Sequence, residues 1–183
     1  MLDPVNPWGR PLRPSLGSEI VAEIAVEGWQ LHAYRELRRA IFAEEQGLFE
    51  GSDFDAHDDY ALPIVATSQI AGMADRVVGV VRIYESEPGV WYGGRLGVHR
   101  DFRRFGAVGT ALISAAVSTA HYLGCRRFLA TVQQANVRYF ERHHFEVREP
   151  ISVCGRPHQL MQARLEDYPA RATGSRFVFA RVA

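Results

Sequence analysis

A chain of 183 residues with 47% hydrophobic content can bury one ordinary core, and that length favours a single domain. Its 21 basic residues balance 21 acidic ones without a basic tail, so charge gives no case for nucleic acid or a membrane surface as partner. Two cysteines, Cys125 and Cys154, make no disulfide scaffold and are both expected reduced; neither CxxC nor HExxH occurs, so no metal is expected.

Residues 1–18 hold Pro4, Pro7, Pro11 and Pro14 and no apolar run. This lead reads as neither a signal peptide nor a membrane span, and a cytoplasmic location is expected. From Glu19 to Glu27 apolar residues alternate as Ile20, Ala22, Ile24 and Val26, which predicts a strand. Leu31 to Gln46 changes to helical spacing, with Leu31, Tyr34, Leu37, Ile41 and Phe42 on one face and Gly47 as its stop. An acidic loop over 50–59 precedes strands over 62–68 and 77–84, joined by a turn at 71–75, and a third strand over 90–98. After a basic, glycine-bearing turn at 102–109 come an apolar helix over 110–123, a strand over 127–132 and a short helix over 136–143. Strands over 145–153 and 158–165 close the domain. The extension 166–183 is either loose or contributes Phe177, Val178 and Phe179 to an extra strand, on this chain or across a homodimer. Helices at only some of the joins imply a mixed sheet covered on both faces, an α/β (α+β) class rather than a regular doubly wound one.

The turn Phe102-Arg103-Arg104-Phe105-Gly106-Ala107-Val108-Gly109 feeds a helix start, where backbone N–H groups and the positive helix end favour an anion such as a pyrophosphate. On these residues the chain resembles the GNAT N-acetyltransferase superfamily, whose Arg/Gln-x-x-Gly-x-Gly/Ala loop wraps the coenzyme A pyrophosphate. Leu37 to Gln46 is similar to the first helix of ElaA-type members, and Arg95-Leu96-Gly97-Val98 resembles their cofactor-facing strand. The string 116–133, with Gly155-Arg156-Pro157-His158, is closest to the nitrogen-starvation type associated with bacterial nitrilase gene clusters. The resemblance implies a GNAT domain over 19–165 with a mostly antiparallel central sheet of six to seven strands and helices on both faces. It also implies acetyl-CoA or another acyl-CoA as co-substrate and a small-molecule amine as acceptor. The cofactor-binding set it implies is Leu96, Gly97, Val98, Arg103, Arg104, Phe105, Gly106, Ala107, Val108, Gly109, Thr110, Asn136 and Phe140. Two registers of the loop are open: with Arg103 first, Val108 sits where Gly or Ala is usual, and with Arg104 first, Ala107 and Gly109 fit the later positions.

Asn136 reads either as an N-cap or as a contact to the pantetheine arm. The family's general-acid tyrosine falls at Phe140 here, with Tyr139 one residue earlier, and one residue turns a helical side chain by about 100°. Deprotonating an ammonium acceptor calls for a carboxylate, and Glu45, then Glu85, are the candidate bases, with Tyr139 the candidate acid. Arg82 and Arg95 stand in strands, where an unpaired charge is costly to bury; each either faces solvent or pairs with an acid such as Asp55 or a substrate carboxylate. Asp53, Asp55, His57 and Asp59 alternate, but the glycine and glutamate of a calcium loop are absent. The proposed reaction is direct acetyl transfer to an amine, with the N–H of Leu96 or Val98 polarising the thioester. The alternatives are a GNAT-like domain that binds acyl-CoA without turnover, and an acyltransferase of the autoinducer-synthase kind, which the Arg-rich first helix, Glu-Glu-Gln and Phe54-Asp55 also resemble.

Overall fold

The alternation that begins at Glu19 folds as β1 (Ser18–Ile24), and the helical spacing after it as α1 (Gly28–Arg38), which continues as a π-helical stretch over Arg39–Glu45. In the computed structural model residues 18–47, 51–153, 155–171 and 177–182 are described; the expectations for 1–17 and for Cys154 lie outside them. The remaining elements are β2 (Leu62–Ile70), β3 (Met73–Glu87), β4 (Val90–Val98), α2 (Ala107–Tyr122), β5 (Arg127–Gln133), α3 (Val137–Glu141), β6 (Phe145–Val153), β7 (Arg156–Ala163) and β8 (Phe177–Val182).

The strands form one sheet in the order β6-β7-β5-β4-β3-β2-β1-β8. Among the described strands only β4 and β5 run parallel, and α2 makes the crossover that a parallel pair needs. Seven strands, β1 to β7, fall within the six to seven that the resemblance implies. The eighth comes from the extension and pairs antiparallel with β1 of the same chain. Residues 78–83 of β3 are buried without a break because both faces of the sheet are covered. On one face Val78 and Ile83 pack with Val108, Leu112 and Ala116 of α2; on the other Val65, Val77 and Val80 pack with Tyr34, Leu37, Ile41 and Phe42.

Close approach of α2 to β3 depends on Gly79. A Cβ there would stand 2.7 Å from Val108 Cγ1 and 2.8 Å from Leu112 Cδ1. Gly79→Val is therefore expected to overpack this layer and to cost about 1–3 kcal/mol, measured by urea unfolding. Beneath β4 the Cys125 thiol is buried and its pKa is pushed up to about 11, chiefly by burial. Peptide mapping after iodoacetamide at pH 7.5 should leave Cys125 unmodified in the native chain and label it in urea.

Candidate active site

The site begins where the parallel pair comes apart. Pairing of β4 with β5 spans Val90↔Arg127 to Gly93↔Ala130 and goes no further, although β4 continues to Val98 and β5 to Gln133. A bulge widens the opening: Gly94 pairs with Arg82 and Gly97 with Val80, so Arg95 and Leu96 together oppose Val81. Arg95 takes a left-handed φ of 54°, uncommon for a residue with a side chain. A cavity of about 350 Å³ fills the opening, with Leu96, Thr131, Gln133, Asn136 and Phe140 among its walls. Asn136 occupies the N-cap position of α3 but makes no side-chain cap bond, so of its two readings the capping one is not realised.

Beside the opening lies the start of α2. Gly106 has φ 63° and is the N-cap of α2, after a 3-10 turn over Arg100–Phe105. The Thr110 N–H closes on Gly106 O at 3.1 Å, so the N–H groups of 107–109 precede the helical ladder. Val108, the residue irregular in one register, is 1% exposed and points into the core. Gly109 instead makes room for the Tyr139 hydroxyl, which a Cβ there would strike. The Arg103 guanidinium grips Glu45 through two bonds of 2.6 and 2.8 Å, and its Nε donates to Val98 O at 2.8 Å, tying the turn to the end of the first helix.

Opposite the opening, three arginines and three aspartates hold the 53–59 loop onto the sheet. Arg38, fully buried, donates to Asp53 Oδ2 at 2.8 Å, Asp58 Oδ1 at 2.5 Å and the Tyr34 hydroxyl at 2.9 Å. Arg82 donates to both Asp55 oxygens at 2.8 and 2.6 Å and to Asp58 at 2.5 Å; Arg95 reaches Asp53 O at 2.9 Å and Asp55 Oδ2 at 3.2 Å. The strand arginines thus took the second of the two outcomes the sequence allows, pairing with Asp55. Burial on its own would raise the carboxyls of Asp55 and Asp58, but the hydrogen bonds and charge of Arg82 and Arg38 outweigh it and hold both below the ordinary range.

Both groups therefore bind protons less readily folded than unfolded. Their contribution to stability is complete at neutral pH and falls as pH drops through the unfolded carboxylate value near ~4 toward the lower folded values. The urea midpoint should stay level from pH 8 to 6 and decline below about pH 5; a midpoint unchanged down to pH 3 would contradict this.

The same loop carries an imidazole into the cavity. Asp55 caps a 3-10 turn over Ala56–Asp59 by accepting the His57 N–H at 3.0 Å, and its Oδ1 also lies 3.1 Å from His57 Nδ1. The His57 ring sits 4.4 Å from that of Tyr84, which stacks on Tyr92 at 5.8 Å. His57, Tyr84 and Tyr92 all line the cavity, and burial raises the Tyr84 phenol.

None of the three expected catalytic side chains lines this cavity. Glu45 is spent on Arg103, whose hydrogen bonds hold its pKa down and make it a poor proton acceptor. Glu85 accepts the Gly89 N–H at 2.7 Å and serves the β3–β4 turn. Tyr139 turns away toward Gly109 and His143, with its phenol raised by burial, while Phe140 takes the wall. The expected cofactor residues do gather around the opening and the α2 turn; for Phe105 only the backbone is described. Among the described residues no group of three or more His, Cys, Asp or Glu side chains is placed to hold a metal ion, and no helix is long and apolar enough to cross a membrane.

A split parallel pair, a bulged strand beside the split and the start of α2 near the end of that strand make up an acyl-transferase-like class of fold. The sequence matches the model of the Acetyltransferase (GNAT) family over residues 20–145, and the chain belongs to that family. Escherichia coli ElaA is similar in structure, with a TM-score of 0.64 at 23% identity, covering 80% of this chain and 99% of ElaA. A candidate N-acetyltransferase from Lactobacillus plantarum has a TM-score of 0.69 at 24% identity, covering 81% of this chain and 99% of its own. BjaI, a CoA-dependent acyl-homoserine lactone synthase solved with SAM and isopentyl-CoA, has 0.59 at 21%, covering 87% and 95%. No curated protein matches the sequence.

Proposed function

We propose that this chain is an acyl-CoA-dependent N-acyltransferase that moves an acetyl group from acetyl-CoA to an amine of a small molecule by direct attack. The observation that carries this reading is the opening between β4 and β5 beside the α2 N-terminus. Residues 103–110 offer backbone N–H groups and a turn at Gly106 that suit a pyrophosphate. The space beside Leu96, Gly97 and Val98, walled by Asn136 and Phe140, suits the pantetheine arm and thioester. In this reading a β4 N–H, of Leu96 or Val98, stabilises the carbonyl oxygen as it gains charge. Holding both substrates together supplies much of the acceleration.

Acetyl-CoA at a hundredfold excess over its Kd should stabilise the chain by about 2.7 kcal/mol, raising Tm by roughly 5–10 °C. No shift with any acyl-CoA overturns the reading, and a shift without acetylation across a broad amine panel leaves a binding protein instead. A second reading, an acyltransferase of the autoinducer-synthase kind, draws support from the BjaI likeness over 87% of this chain. S-adenosylmethionine in the amine panel tests it. Within the first reading, the likeness of residues 116–133 to the nitrilase-cluster type supports an acceptor made by neighbouring enzymes, which genome context would narrow. A cytoplasmic homodimer belongs to the same proposal and is checked by light scattering.

A further inference from the structure

An ammonium acceptor reaches the thioester in its unreactive protonated form, so a proton acceptor has to stand in the same cavity. Two imidazoles line the cavity; His158 Nδ1 lies 2.9 Å from the carbonyl of Arg156, and His57 is the one paired with a carboxylate. His57 Nδ1 lies 3.1 Å from Asp55 Oδ1, and Asp55 is itself gripped by both Arg82 Nη atoms and by Arg95 Nη2. A carboxylate held ionised in this way accepts the Nδ1 proton and leaves the lone pair on Nε2. The ring plane is set as well, by Tyr84 at 4.4 Å and Tyr60 at 6.0 Å, and the backbone N–H of His57 is bonded to the same Asp55 oxygen. Leu96, from the bulge of β4, lines the same cavity of about 350 Å³, which is the size that holds one small molecule.

We infer that His57, oriented by Asp55, is the general base that deprotonates the acceptor ammonium in the transfer proposed above. The inference rests on that reading and supplies the base that Glu45 and Glu85, being outside the cavity, do not. His57 Nε2 takes one proton from R–NH3⁺ and gives R–NH2, whose lone pair forms the C–N bond at the thioester carbon. Collapse breaks the C–S bond, and the departing thiolate takes a second proton from the nitrogen. The products are the amide, coenzyme A thiol and one proton, which imidazolium returns to water. The groups facing His57 are Asp55, Asp58 and Tyr60 of its own loop, Arg82 and Tyr84 of β3, Tyr92 and Arg95 of β4, and His158 of β7 across the cavity.

The test compares the wild-type chain with His57→Gln, which fills the space but cannot carry the proton. Acetylation is followed with acetyl-CoA and whichever amine of a broad panel the wild-type chain turns over. The expected result is a fall in kcat/KM of about 10²–10³-fold at pH 7 that narrows as rising pH supplies the acceptor as free amine, while the acetyl-CoA thermal shift is retained. A second readout needs no turnover: the imidazole ¹⁵N spectrum at pH 8.5 should show His57 protonated at Nδ1 and bare at Nε2. A variant with the wild-type pH profile, or a His57 ring protonated at Nε2, overturns the role of His57 and leaves the transferase reading intact. A wild-type chain that binds acetyl-CoA and acetylates no amine overturns both.

Discussion

Replacing Arg38 with Ala should lower the unfolding free energy by about 3–5 kcal/mol in urea titrations at pH 7, the usual result of removing one partner from a buried ionic cluster. The residue has no exposed surface and uses its whole fork: Nε on Asp53, Nη1 on Tyr34 and Asp58, Nη2 on Asp53 O and Asp58 Oδ2. Its guanidinium also lies 4.2 Å from the Phe54 ring centre. Without it Asp53, 1% exposed, would keep a carboxylate with part of its compensation gone. Arg38→Lys returns the charge as a point rather than a fork and should recover only part of the loss. The deficit should shrink as pH falls through the carboxylate range, because a protonated aspartate no longer needs the guanidinium. A deficit under 1 kcal/mol, or one independent of pH, would mean that the cluster contributes packing and little electrostatics.

Elements set by local periodicity were legible in the sequence, and features set by long-range pairing were not. Alternation gave β1 over Ser18–Ile24, where Ile20 and Ala22 are buried while Val26 lies beyond the strand and exposed, and the 3.6-residue face of Leu31 to Phe42 gave α1, packed on the sheet. The π-helical end of α1 adds no change of residue type, and its bond from Gln46 N–H to Ile41 O shows only in the backbone. The bulge at Arg95 is equally silent: a glycine would have announced a positive φ, but here the strained backbone carries an arginine whose side chain is bonded to Asp53 and Asp55.

The site divides in the same way. The anion-facing turn was readable because Gly106 and the helix start are local, and the cost of burying Arg82 and Arg95 pointed to acids such as Asp55. The Glu-Glu-Gln triplet that resembles the ElaA-type first helix points to Glu45 as base, and nothing local reveals that Arg103, 58 positions later, takes both of its oxygens. For His57 the local signal is its spacing from Asp55, which the alternation of a calcium-like loop masks. An aspartate two residues before a histidine can cap the turn with one oxygen and hold the ring with it.

Gly106→Val should raise the KM for acetyl-CoA by about 10–100-fold while lowering stability by only about 1–2 kcal/mol. A Cβ at Gly106 would meet nothing within 4 Å, so the effect comes chiefly from a φ of 63° that a β-branched residue resists. The chain relieves that strain by turning the peptide planes at the start of α2, which re-aims the N–H groups of 107–109. If those groups hold the pyrophosphate, a displacement of about 1 Å is enough for the loss, and kcat at saturating acetyl-CoA changes little because the thioester end is held elsewhere. Gly109→Ala provides the contrast: its Cβ strikes the Tyr139 hydroxyl, so its effect should be reversed by Tyr139→Phe, whereas that of Gly106→Val should not. A Gly106→Val chain that loses stability but keeps its KM within twofold would move the cofactor's phosphates away from this turn.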